Sequence, residues 1–74
     1  GFIIDKAYRR RGIGSYVLEE VIRQVYREFG PRPIVLGCHV DNVSAMEMYL
    51  RHGFVNTFAM DEDDYLLIRE EIFQ

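Results

Sequence analysis

Tyr8-Arg9-Arg10-Arg11-Gly12-Ile13-Gly14-Ser15 lies between a short apolar run and a stretch of helical periodicity, and its reading decides the fold. Two glycines let a backbone come close to a ligand. The helix that opens at Ser15 adds N–H groups with no intrahelical partner and the positive end of its dipole. The pattern suits an anion, and phosphate above all. Two familiar phosphate loops do not fit. In the dinucleotide fingerprint a third glycine would stand where this chain has Val17, and the acidic residue about twenty positions on is replaced by Arg32 and its neighbours. The Gly-Lys-Ser/Thr of a Walker loop is absent from the sequence.

Upstream of this corner, Gly1-Phe2-Ile3-Ile4 reads as the last residues of a buried strand that ends at Asp5-Lys6. Downstream, Val17, Leu18, Val21, Ile22, Val25, Tyr26 and Phe29 recur on one face, which predicts a helix from Ser15 to Phe29 stopped by Gly30, Pro31 and Pro33. Residues 34–40 form a second strand, apolar on both faces apart from His39, as in a covered parallel strand. Strand, helix and strand then make one right-handed crossover. Asp41-Asn42 opens a turn, and Ser44-Ala45-Met46-Glu47 reads as the capping box of a helix running through His52, with Gly53 just beyond its end. Phe54 to Met60 and Tyr65 to Ile72 are expected as strands of an antiparallel hairpin joined by Asp61-Glu62-Asp63-Asp64.

The order β-α-β-α-β-β implies an α/β half-domain whose mixed sheet holds a parallel strand pair and a C-terminal antiparallel hairpin. Ligands of such sheets sit beyond the carboxyl ends of the strands, so the glycine loop and the turn after the second strand can meet one ligand. The chain starts inside a strand, and residues 1–74 are expected to be one N-terminally incomplete domain.

Composition limits the function classes. Of 74 residues, 49% are apolar and 28% charged, a balance suited to a globular fold with a small core. Net charge is −3, but residues 1–33 hold seven Lys/Arg against four Asp/Glu and residues 34–74 two against eight. The glycine loop is in the basic part. Arg9 to Arg11 have no interleaved aromatics and the domain is acidic overall, so nucleic acid is not the expected partner. No apolar run has membrane length, and the lone Cys38 fits a small buried hydrophobe in a reducing cytoplasm.

Arg9-x-x-Gly12-x-Gly14 at a strand-to-helix turn, with Asn42, Tyr49 and Gly53-Phe54 in the spacing N-x6-Y-x3-G-F, resembles the GNAT superfamily of N-acetyltransferases. The resemblance implies acetyl-CoA as cofactor, with its pyrophosphate cradled by backbone amides from Arg10 to Ser15, that is Arg10, Arg11, Gly12, Ile13, Gly14 and Ser15. It implies that the backbone of Phe2, Ile3 and Ile4 bonds the pantetheine arm and polarises the thioester carbonyl, that Asn42 also bonds this arm, and that Tyr49 is the general acid for the departing thiolate. A phenol suits that task, since reference pKa values of about 10 and about 8.5 for phenol and thiol let the proton pass at little cost. The implied reaction is acetyl transfer to a primary amine, with a small molecule such as a polyamine favoured by the acidic hairpin.

The amine must also lose a proton, and the sequence offers only His39 as a weak base, a residue with an equally simple structural reading. Tyr49 likewise has a plain alternative as a helix-face aromatic packed with Ala45 and Met46, and Asn42 as a capping residue. The family's preceding strands and helices are missing, so self-association or an absent N-terminal half is expected. The other functional classes open to the sequence are a noncatalytic CoA-binding module and a protein-interaction half-domain.

Overall fold

A computed structural model describes residues 14–70 and the backbone of residues 2–3. The expected anion loop, including Arg9, Arg10, Arg11, Gly12 and Ile13, lies outside the described residues, as do Ile4 and residues 71–74.

The elements follow in the order β1 (Phe2–Ile3), α1 (Ser15–Phe29), β2 (Ile34–His39), α2 (Val43–Arg51), β3 (Val55–Asp61) and β4 (Asp64–Arg69). Helix α1 has the expected bounds. Leu18, Ile22 and Val25 are its buried stripe, Val21 and Tyr26 flank that stripe against the core, and Val17 and Phe29 at its margins are exposed. Gly30 ends the helix at φ 79°, a left-handed conformation glycine adopts without strain, and its N–H returns to the Tyr26 carbonyl at 2.9 Å.

The sheet order is β1-β2-β4-β3. Strand β4 pairs antiparallel with both β2 and β3, and the two residues of β1 lie parallel to Ile34 and Val35. Strand β2 therefore has one antiparallel neighbour along its whole length. Its alternation places Ile34, Leu36 and Cys38 inward, with Leu67 of β4 opposite Leu36. These residues join Met48 and Tyr49 of α2, Phe54 and the stripe of α1 in one core, so both helices pack on the same face of the sheet.

Several boundaries differ from the sequence reading. The cap of α2 is Asn42, not Ser44: the Asn42 side chain accepts from the Ala45 N–H at 3.2 Å, while Ser44 lies inside the helix and its hydroxyl turns back to Asn42 Oδ1 at 3.4 Å. The Ser-x-x-Glu pattern was two residues out of register with the cap that forms. The hairpin is also tighter than expected, since Asp61 pairs with Asp64 and only Glu62-Asp63 turn, held to the end of β2 by the Val40 N–H donating to the Asp63 carbonyl at 2.9 Å. Strand β2 ends at His39, one residue short of the expected end, and Val40 is a turn residue. Finally, β4 spans Asp64–Arg69, and the expected end at Ile72 lies outside the described residues.

Strand β3 carries a bulge between Asn56 and Met60, with Phe58 at φ 63°. Two side chains hold that unusual backbone. Asn56 Oδ1 accepts from the Phe58 N–H at 2.8 Å, and the Thr57 hydroxyl donates to the Leu66 carbonyl at 2.7 Å and accepts from the Ala59 N–H at 3.2 Å.

Candidate functional site

The N-terminus of α1 is open. Gly14 occupies the cap position with φ −75° and ψ 161°, makes no side-chain cap, and no acidic residue follows in the first turn. The first helical bond runs from the Leu18 N–H to the Gly14 carbonyl at 3.0 Å, which leaves the N–H groups of Ser15, Tyr16 and Val17 ahead of the ladder. Any residue can adopt this extended backbone, and a Cβ at Gly14 would meet nothing within 4 Å. Among the described residues, neither conformation nor packing demands glycine there. The first-turn amides stand at the positive end of a fifteen-residue helix, where an anion is favoured.

Helix α2 is closed at both ends by its own sequence. At the start stands the Asn42 cap, whose N–H donates to the His39 carbonyl at 2.9 Å, fixing the residue just past the carboxyl end of β2. Asn42 Oδ1 accepts from the Ala45 N–H and from the Ser44 hydroxyl, so the side chain's oxygen serves the helix start. At the far end, the Gly53 N–H donates to the Leu50 carbonyl at 3.3 Å and the Phe54 N–H to the Tyr49 carbonyl at 3.0 Å, with Gly53 at φ 91°. This is a Schellman stop, and its accompanying apolar contact is the edge-on pair of Tyr49 and Phe54 with ring centroids 5.8 Å apart. The spacing N-x6-Y-x3-G-F thus has a physical meaning: it marks both ends of one helix. Tyr49 is buried, with 2% of its surface exposed, and its position is set by the stop.

His39 ends β2 half-exposed, and its Nδ1 accepts from the Asp41 N–H at 3.1 Å. In the neutral ring that bond places the hydrogen on Nε2. Below it, burial pushes the Cys38 thiol pKa up, and the nearby Asp64 carboxylate adds to the rise. The thiol stays protonated and inert, as a core residue should. Among the described residues no group of His, Cys, Asp and Glu has the makings of a metal site, and no helix is long and apolar enough to cross a membrane.

Sequence reasoning missed Arg69 and the polar junction it forms. Arg69 Nε donates to the His52 carbonyl and Nη1 to the Tyr26 hydroxyl, each at 2.8 Å, and His52 Nδ1 pairs with Glu19 of α1. The available signal was a lone arginine at an inward position of an apolar strand, in register with Tyr65 and Leu67.

Residues 1–54 match the acetyltransferase (GNAT) family. The chain belongs to that family. It is also 27% identical over 66 residues to the ribosomal-protein-serine acetyltransferase of Escherichia coli (strain K12), a match covering 89% of this chain and 37% of that enzyme. The chain thus spans little more than a third of this GNAT relative. No solved structure matches significantly. Of the residues singled out in the sequence, Gly14 and Ser15 stand at the open end of α1, and Asn42 and Tyr49 at the two ends of α2. Both helices meet in one core.

Proposed function

We propose that residues 1–74 are the acetyl-CoA-binding half of a GNAT N-acetyltransferase domain, in which β1 and β2 are the visible part of a longer parallel pair and acetyl passes to a primary amine. The observation that carries this reading is the contrast at the helix starts: among the described residues nothing seals α1 or requires its glycine, while α2 is capped by Asn42. Amides from Arg10 to Ser15 hold the pyrophosphate, with Arg9 at the entry to the loop. The backbone of Phe2, Ile3 and Ile4 and the Asn42 side-chain amide hold the pantetheine arm.

Bound there, acetyl-CoA supplies an activated acyl group and a thiolate leaving group. Tyr49 keeps a proton on its hydroxyl and releases it to the thiolate. Burial supports this role, because it keeps bulk water from competing for that proton. The base that takes the amine proton is a residue or water chain beyond those described.

The acceptor we favour is a small polyamine. The Asp61–Asp64 hairpin tip is tied to the carboxyl end of β2, the end where ligands of α/β sheets sit, and its carboxylates attract a polycation. A protein acceptor is the second reading, favoured by the name of the Escherichia coli relative.

Titration with acetyl-CoA, followed by turnover with spermidine and with a serine-containing ribosomal-protein peptide, tests both. Tyr49→Phe should lower kcat by about a hundredfold with little change in cofactor Kd. Equal turnover removes the proposed acid. Binding without transfer to any amine makes the chain a CoA-binding module, and absence of binding leaves a protein-interaction role.

A further inference from the structure

Arg69 lies opposite Ile34, at the start of β2, while Asn42 follows the end of that strand. Ile34 to His39 spans roughly 17 Å at about 3.3 Å per residue, so the guanidinium is remote from the carboxyl-end site. It nevertheless grips both helices that build the site. Nε donates to the carbonyl of His52, the last capping residue of α2, and Nη1 donates to the Tyr26 hydroxyl on α1. The guanidinium carbon is 5.5 Å from the centre of the Tyr26 ring. A Cβ on Gly53 would come within 3.0 Å of Arg69 Nε. The glycine of the Schellman stop is therefore also the seat of the arginine. The Glu19–His52 pair ties the same helix end to α1 from the other side.

We infer that Arg69 is a positioning residue for acetyl transfer, and the inference rests on the acetyltransferase reading above. It clamps the stop of α2, and with it Tyr49, against α1, whose first turn holds the phosphates. One planar fork bonds a carbonyl on one helix and a hydroxyl on the other, which fixes their relative placement. A lysine, with a single point of charge on a flexible stem, cannot do both in that geometry. Rigid helices carry the constraint to the site. Small misplacement of an acid costs rate without costing affinity, because the phosphate grip is local to α1 while the proton transfer depends on both helices.

The test compares Arg69→Met, Arg69→Lys and Tyr26→Phe with wild type in the full chain. Methionine keeps most of the hydrocarbon bulk. Tyr26→Phe keeps the ring and removes one hydrogen bond, so it serves should Arg69→Met fail to fold. For Arg69→Met, kcat should fall about tenfold while acetyl-CoA Kd stays within about twofold, and Arg69→Lys should not rescue it. Tyr26→Phe should lie between. Amide exchange should rise at Gly53 and Phe54 and at Gly30, whose N–H bonds the Tyr26 carbonyl, but not at Leu36 or Leu67. Unchanged kcat with unchanged exchange at those amides overturns the inference. So does a loss of kcat equal to that of a core variant, Leu67→Val, destabilised to the same degree. A wild-type chain that neither binds acetyl-CoA nor transfers acetyl overturns the functional reading instead. In that case local exchange still decides whether Arg69 holds the two helix ends together.

Discussion

The two helices of this chain begin in opposite ways. Helix α2 starts on an asparagine whose side chain bonds the third amide of its first turn, and α1 starts on a glycine with no side chain to cap it and, among the described residues, no atom within 4 Å of where a Cβ would stand. A glycine at the start forgoes only about a few tenths of a kcal/mol relative to a Ser, Thr, Asn or Asp cap. Leaving this turn without a side-chain cap therefore costs the fold little, and it keeps the first-turn amides available to an outside anion in the reading proposed above. The sealed start serves the fold, and in the function proposed above the other serves a ligand.

Making α1 begin as α2 does is the most severe test. Gly14→Asp should fold at least as stably as wild type, since the extended backbone accepts aspartate and the carboxylate both caps the turn and complements the dipole. The same change should weaken acetyl-CoA binding by about a hundredfold, roughly 2.7 kcal/mol, by titration calorimetry. Unaltered affinity would mean that the open start holds no phosphate.

At the closed helix, Gly53→Ala should lower stability by about 1–2 kcal/mol in urea melts, because a left-handed backbone disfavours a Cβ and the new methyl meets Arg69 Nε. Asn42 separates cap from ligand contact. Asn42→Ala should cost about 1 kcal/mol of stability, whereas Asn42→Asp keeps the acceptor for the Ala45 N–H and should leave stability near wild type. If the side-chain amide also meets the pantetheine arm, both variants lose acetyl-CoA affinity; if only Asn42→Ala does, the residue is a cap alone.

The smallest effect lies beneath that sealed end. The Cys38 thiol pKa is raised by burial and by Asp64, so the folded state favours the neutral thiol. Its contribution to stability is complete below the ordinary thiol pKa of about 8.5 and declines as pH rises past it, because the unfolded chain ionises first. Cys38→Ala should flatten that decline, and alkylation of the native thiol should be markedly slower than that of the unfolded chain.

Helix α1 was fully legible because Leu18, Ile22 and Val25 repeat at helical spacing and Gly30 with two prolines ends the pattern. The hairpin was legible from its acidic turn. The cap of α2 was misplaced because Asn42 and Ser44 are both good caps, and only the bond from His39 to the Asn42 amide decides where the strand lets go. Arg69 was hidden for a different reason. Its partners are Tyr26 and the His52 carbonyl, far away in sequence and one of them main chain, so no local pattern announces them. For the site, the spacing of Asn42, Tyr49, Gly53 and Phe54 was visible at once. That it also spells a helix with its two stops emerges only from the hydrogen bonds.

The strand order carries a consequence for how the chain assembles. Strand β4 is last in sequence yet sits between β2 and β3. As synthesis proceeds, β2 and β3 emerge with no partner to join them, and the sheet can close only when Leu66, Leu67 and Ile68 slide in between. Losing those few residues would split the sheet down its middle rather than trim its border, leaving, among the described residues, β3 without a partner and β2 with only the two-residue β1 beside it.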